Sequence, residues 1–99
     1  MIRHIVFFKF QEANGLNKNE ICKQIKNKFD ALPSKINLIK KLTCGIDFLH
    51  SERSFDMALE VDFQNVDDMN AYQTHPEHVA IVEFMKPYKT AAAATDFNL

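Results

Sequence analysis

Residues 71–79 read AYQTHPEHV and gather two histidines and a tyrosine around one proline. Pro76 lacks a backbone N–H and disfavours the helical conformation for His75. A helix that ends near Tyr72 or Gln73 can begin again at Pro76, because proline suits the first position of a helix. The stretch therefore predicts two helices that meet at a corner, and the rest of the chain is organised around it.

Helical spacing on both sides of this corner predicts which side chains point inward. After the corner, a stripe at spacings of three and four consists of His78, Ile81, Val82 and Met85. Before the corner, the residues that recur every three positions are Val66, Met69 and Tyr72. Both stripes place their polar member, His78 or Tyr72, towards the core.

Four segments have the pattern of strands. Residues 2–10 carry apolar side chains on both faces. Residues 55–63 place five large apolar side chains on one face and Asp56, Ala58, Glu60 and Asp62 on the other. Residues 36–49 predict a further strand, bent by a bulge at Gly45. Residues 91–94 are four alanines, which favour a helix by propensity alone. We nevertheless predict a strand there, because it completes a four-stranded sheet.

Capping signals mark the helices. Asn17 is a predicted N-cap with Glu20 at the third helical position, and Asn65 is the N-cap of the helix before the corner. Thr74 and Glu77 fit a capping box for the helix after it, which we expect to run to about Lys86. The predicted buried stripe of the first helix is Ile21, Ile25, Phe29 and Leu32. The order β-α-β-β-α-β predicts an α+β, ferredoxin-like fold, an antiparallel four-stranded sheet with helices on one face.

Composition limits the classes of protein that this chain can belong to. Ninety-nine residues predict a single domain over residues 1–99, and 46% apolar with 25% charged residues is typical of globular proteins. A net charge of −1 argues against nucleic acid as a partner. No apolar run approaches the roughly 20 residues that span a bilayer. Cys22 and Cys44 have no metal-binding spacing, so we expect a cytoplasmic protein with reduced thiols.

The chain resembles the stress-responsive A/B-barrel (Dabb) domain of the dimeric α/β-barrel superfamily. The resemblance rests on residues 2–10, on residues 55–63, on the segment YQTHPEH at 72–78 and on residues 95–97. It implies a ferredoxin-like monomer whose sheet faces the sheet of a partner, forming a dimeric α/β barrel. It also implies a role in binding a small apolar ligand or in stress response.

One branch of this family, the plant olivetolic acid cyclases, is enzymatic and closes a polyketide ring without metal or organic cofactor. The resemblance places its tyrosine and histidine acid–base pair at Tyr72 and His78, and a further pocket histidine at His4. A third pocket histidine of that branch falls at Met57 here, which makes the expected pocket less polar. We therefore predict an apolar pocket around the candidate catalytic pair His78 and Tyr72, lined by His4, Phe8, Met57, Leu59 and Val82.

Each of these residues also has a purely structural interpretation. His78 and Tyr72 can be core residues whose polar atoms are hydrogen-bonded within the protein, and His75 is most simply a residue at the start of a helix. His75, Glu77 and His78 lack the spacing of a helical zinc pair, so we expect no metal and no cofactor. Haem chemistry, found in other dimeric α/β-barrel families, is disfavoured by the absence of tryptophan.

The first strand also predicts the oligomeric state. Val6 and Phe8 lie on one face, and Ile5 and Phe7 lie on the other. The helices can cover only one of these faces, and an exposed apolar patch is unusual on a monomer. We therefore expect a homodimer through the open sheet face.

Overall fold

A computed structural model describes residues 1–99 of the protein. In chain order its elements are β1 (Ile2–Phe10), α1 (Lys18–Asp30), a 3₁₀ turn (Leu32–Ser34), β2 (Lys41–Ile46), β3 (Met57–Phe63), α2 (Val66–Thr74), α3 (Pro76–Met85) and β4 (Lys89–Asn98). The strands form one antiparallel sheet in the order β2-β3-β1-β4. The helices pack on one face of it. This is the predicted α+β, ferredoxin-like fold, and no helix is long and apolar enough to cross a membrane.

Helix α1 forms as its sequence predicts. The Asn17 side chain accepts a hydrogen bond from the backbone N–H of Glu20 at 2.9 Å, which satisfies one of the free donors of the first turn. The predicted stripe is buried, with Ile21, Ile25 and Phe29 at most 1% exposed. Complete burial of each such side chain contributes about 1.5–3 kcal/mol, so this stripe fixes α1 on the sheet.

Strand β2 is shorter than the predicted span of 36–49. Residues 36–40 form turns, in which the N–H of Ile36 bonds to the carbonyl of Leu32 and the N–H of Ile39 bonds to that of Ile36. Both isoleucines are buried, so these turns fill the core, and only Lys40 bonds to the sheet, through the carbonyl of Asp62 at 2.9 Å. The predicted bulge at Gly45 is wrong, because Gly45 pairs in regular register with Ala58.

The corner has the predicted geometry but a different cap. His75, with φ −64° and ψ 134°, ends α2 and begins α3, and its Nδ1 accepts a hydrogen bond from the N–H of Glu77 at 3.1 Å. The Thr74–Glu77 capping box is therefore wrong. The reason is Pro76, which holds the extended conformation at His75 and so moves the cap to that residue. The Thr74 hydroxyl donates instead to the carbonyl of Ala71 at 3.4 Å.

The alanine run lies in β4, which pairs with β1 along its length. Pairing with a neighbouring strand overrides the helix propensity of alanine here. A register shift interrupts the pairing between Lys9 and Phe10: Lys9 lies opposite Ala91, whereas Phe10 lies opposite Lys89. Thr90 is thus an extra residue, a β-bulge near the start of β4.

The sheet face away from the helices is open in the single chain. At one end, Arg3 forms a two-pronged hydrogen bond with Asp62, at 2.8 and 3.0 Å, and an ion pair with Glu60 at 2.8 Å. The Arg3 guanidinium lowers the pKa of the Asp62 carboxyl. The other end is apolar, and Phe7 there is 39% exposed. The open face therefore combines an ion-pair cluster with an uncovered apolar region.

Candidate functional site

The corner brings Tyr72 and His78 into direct contact. Tyr72 lies in the last turns of α2 and His78 in the first turn of α3, and their ring centroids are 4.3 Å apart. Tyr72 is fully buried and also packs on Phe63, at 5.0 Å between centroids. His78 is half-buried. The break at Pro76 thus positions two polar rings that a continuous helix would space differently.

These two rings line a cavity of about 210 Å³ between the sheet and the helices. Its walls consist of His4, Val6, Phe8, Phe29, Leu59, Tyr72, Gln73, His78, Val82, Met85, Lys89 and Ala92. The structure therefore brings together six of the seven residues that the sequence places at a pocket.

Met57 is the exception. It lies two positions from Leu59 along β3, and at about 3.4 Å per residue this moves it roughly 7 Å towards the loop before β3. Met57 is 1% exposed within the core and reaches a different groove. Alternation correctly predicts its face of the sheet but not the position at which the cavity ends.

The Tyr72 hydroxyl is buried and has no hydrogen-bond partner in the protein. Burial raises the pKa of this phenol well above its usual range, so it stays protonated at neutral pH. A buried polar group without a partner costs about 1–3 kcal/mol and is rare in native proteins. Tyr72, which lines the cavity, thus carries one unused hydrogen-bond donor that solvent does not reach.

His78 supplies an acceptor. Its Nδ1 lies 3.1 Å from the backbone carbonyl of Gln73. Because a carbonyl can only accept, Nδ1 must carry the proton, which leaves Nε2 of the neutral ring with a free lone pair. Burial lowers the pKa of His78, and the bond to Gln73 opposes this only in part. At neutral pH, His78 is therefore a neutral imidazole with a fixed tautomer.

His4 lies on the sheet wall of the cavity and is 9% exposed. Its Nδ1 is 2.5 Å from a carboxylate oxygen of Asp96 on β4. The two residues are directly opposite in the β1–β4 register. Sequence reasoning does not assign Asp96 to the site, and the only signal that could do so is the strand register. The carboxylate holds the ring orientation of His4.

The other polar residues near the corner have structural roles in a helix cap and a surface ion pair. His75 uses its Nδ1 to cap α3, and Glu77 lies 3.6 Å from Lys35 on the surface. No group of three or more histidine, cysteine, aspartate or glutamate side chains has the arrangement of a metal site. Tyr72 and His78 are therefore the two ionisable side chains of the corner that line the cavity.

A second, larger groove of about 540 Å³ lies on the open sheet face. Phe7, Ile46 and Phe55 give it an apolar character, and Arg53 and Asp47 lie at its edge. This groove is larger than the cavity, but it contains no histidine or tyrosine that could act as an acid or base. Its position matches the surface on which we expect a partner subunit.

The protein is similar to known proteins along its whole length. The model of the Stress responsive A/B Barrel Domain matches residues 2–99. A crystal structure from Bacteroides fragilis NCTC 9343, of a dimeric protein of unknown function with a ferredoxin-like fold, is 33% identical with a TM-score of 0.87. The match covers 99% of this chain and 95% of that one.

Two further solved structures extend this comparison. A dimeric ferredoxin-like protein of unknown function from Thermobifida fusca is 28% identical with a TM-score of 0.83, over 99% of this chain and 90% of that one. The hydroxynitrile lyase of Passiflora edulis is 20% identical with a TM-score of 0.80, over 99% of this chain and 92% of that one. At that identity, the likeness to the lyase concerns the fold alone.

Proposed function

The chain belongs to the stress responsive A/B barrel domain family, and we propose that it binds a small apolar molecule carrying a carbonyl or hydroxyl oxygen. The observation that carries this proposal is the buried Tyr72 hydroxyl without a partner beside His78. A ligand oxygen at this point accepts a hydrogen bond from Tyr72. A ligand hydroxyl additionally donates to Nε2 of His78.

The cavity limits the size and polarity of the ligand. A dry cavity of about 150 Å³ accommodates benzene, so about 210 Å³ suits one ring with a short substituent. Phe8, Phe29 and Leu59 provide an apolar wall for the ring. A mostly apolar pocket with a few convergent polar groups is typical of small-molecule sites.

The fixed tautomer of His78 favours acid–base catalysis without a cofactor as a second candidate function. In this reaction Nε2 takes a proton from a carbon next to the ligand carbonyl. The C–H electron pair moves into the C–C bond, and the carbonyl π pair moves onto oxygen. The Tyr72 hydroxyl donates a hydrogen bond to that oxygen as its negative charge develops.

The same proposal includes a homodimer through the open sheet face. Phe7 and Phe97 are 39% and 44% exposed there, and a groove of about 540 Å³ lies beside Phe7. Two similar structures are of proteins described as dimeric. We place the protein in the cytoplasm, where the free Cys22 and Cys44 remain reduced.

Binding of acetophenone and its oxygen-free analogue ethylbenzene tests the proposal. By titration calorimetry or NMR, we expect the wild type to bind acetophenone about 5-fold more tightly, since a neutral hydrogen bond contributes about 1 kcal/mol. Tyr72→Phe should remove this preference. Tyr88→Phe is the matched control, because Tyr88 lies outside the cavity and its hydroxyl already accepts from Asn14. Equal affinity of the wild type for both compounds, or no binding of either, contradicts the proposal.

Catalysis is tested with phenylacetone in deuterated water. The wild type should accelerate deuterium incorporation at the benzylic carbon, as followed by proton NMR. His78→Gln should lose this acceleration, whereas His50→Gln at an exposed turn should retain it. An exchange rate that is the same with and without the wild-type protein rules out the catalytic candidate and leaves binding alone.

A further inference from the structure

We propose that the ligand of this cavity carries a carboxylate, and that Lys89 binds it at the cavity mouth. The inference rests on the proposed function and names the class of ligand more narrowly. It combines three observations: the charge of the cavity wall, the bulge in β4 and the ion pairs of the surrounding segments.

The first observation is that Lys89 is the only lysine or arginine among the residues that line the cavity, and none of them is an aspartate or glutamate. Its ammonium therefore has no counter-charge on the cavity wall. Lys89 is itself exposed at the edge of the cavity, so an anion that pairs with it stays partly in water.

The second observation is the β-bulge at Thr90. Ala92, Ala94 and Asp96 of β4 lie opposite Phe8, Val6 and His4, which face the helices. Simple alternation would place residue 89 on the open face with Ala91. The extra residue instead sets Lys89 opposite Phe10, a residue that is 3% exposed on the helix-facing side. The bulge thus brings a lysine to the cavity, and bulges commonly redirect a side chain next to a functional site.

The third observation is that Lys89 has no ion-pair partner, whereas Glu83 and Asp96 have other partners. Glu83 lies 2.8 Å from the ammonium of Lys86, and Asp96 bonds to His4. Lys89 takes part in none of the ion pairs or side-chain hydrogen bonds of the chain. Its charge is therefore free for a ligand.

The placement of these groups defines how the ligand lies. Lys89 and His4 mark opposite ends of the cavity wall along β1 and β4, and Ala92 between them leaves room for an apolar body. A flexible lysine stem can cover apolar surface while its ammonium stays at the mouth. We infer a ligand whose carboxylate pairs with Lys89 at the mouth and whose apolar body lies against Ala92 and Phe8.

The test compares 3-phenylpropanoate with its neutral amide, 3-phenylpropanamide, at low ionic strength. We expect the wild type to bind the carboxylate about 5-fold more tightly, the size of a partly exposed charged pair. Added salt should reduce this preference. Lys89→Gln should abolish it, and Lys89→Arg should restore it. Lys86→Gln is the control and should leave it unchanged, since Lys86 pairs with Glu83 outside the cavity.

The acetophenone experiment separates this inference from the function on which it rests. If acetophenone binds with the expected dependence on Tyr72 but the wild type does not prefer the carboxylate, the Lys89 inference is wrong and the proposed function stands. The Lys89 inference is equally wrong if Lys89→Gln keeps the preference while its melting temperature matches the wild type. If acetophenone itself does not bind, the proposed function is wrong, and the Lys89 inference that rests on it is wrong as well.

Discussion

Replacement of Tyr72 by phenylalanine should stabilise the ligand-free protein. The variant keeps the ring, and with it the packing on Phe63 and His78 at centroid distances of 5.0 and 4.3 Å. It removes only a hydroxyl that is buried and has no partner. The desolvation cost of such a group is about 1–3 kcal/mol, so we expect the free energy of unfolding to rise by about 1 kcal/mol. For a chain of this length, that corresponds to a melting temperature about 5 °C higher.

Urea denaturation followed by circular dichroism at one fixed protein concentration measures this change. The midpoint should move to higher urea with an unchanged slope, which indicates altered stability rather than altered compactness. A constant concentration matters, because association of subunits adds to apparent stability. Tyr88→Phe is the control: its hydroxyl accepts a 3.4 Å hydrogen bond from Asn14, so no gain is expected.

Saturating acetophenone should then remove this difference, because about 5-fold tighter binding to the wild type corresponds to about 1 kcal/mol. The wild type gains more from the ligand, because only its hydroxyl can donate to the ligand oxygen. A Tyr72→Phe protein that is less stable than the wild type without ligand would refute the reasoning. That result would mean that the hydroxyl already donates to a group inside the folded protein, and the site would lose its unused donor.

Three further predictions concern other parts of the molecule. Burial lowers the folded-state pKa of His78 below its ordinary 6.5, so the unfolded chain binds more protons between these two values. Stability should therefore fall as the pH drops from about 6.5 through the folded-state pKa, and His78→Phe should flatten this part of the urea-midpoint profile, whereas His50→Gln should not. Phe7→Glu should convert a dimer into a monomer or an aggregate in sedimentation velocity, and a dimer that persists in this variant would argue against the open sheet face as the interface. Burial raises the pKa of Cys44 to about 12 and also raises that of Cys22, so both thiols should react slowly with a disulfide reagent at pH 8 until urea is added.

Local patterns in the sequence predict most of the fold because their causes are local. Alternation over residues 2–10 defines a strand with two apolar faces, and Asn17 and Asn65 mark helix starts through hydrogen bonds that span three residues. Pro76 predicts the corner for the same reason, since it restricts its own backbone and that of its neighbour. The prediction of a strand over residues 36–40 is wrong because no local signal decides it: isolated buried apolar residues occur both in strands and in buried turns.

The candidate site is less predictable because it depends on pairing between distant segments. His4 and Asp96 meet only because of the β1–β4 register, and a shift by one residue would separate them. The bulge at Thr90, which brings Lys89 to the cavity, could not be predicted from the sequence, because residues 88–92 contain no glycine or proline. The face of the sheet on which a residue lies follows from sequence alternation, whereas its neighbours on that face follow from the tertiary fold.

The pairing of β1 with β4 also has a consequence for how the chain folds. β1 lies in the middle of the sheet, yet one of its two neighbours is made of residues 89–98. During synthesis, β1 leaves the ribosome long before β4 exists, and until then one edge of this largely apolar strand has no partner. Such long-range contacts raise the contact order and slow folding. The nascent chain therefore passes through a stage in which β1 is exposed to intermolecular strand pairing, and chaperone binding at residues 2–10 would protect it until β4 arrives.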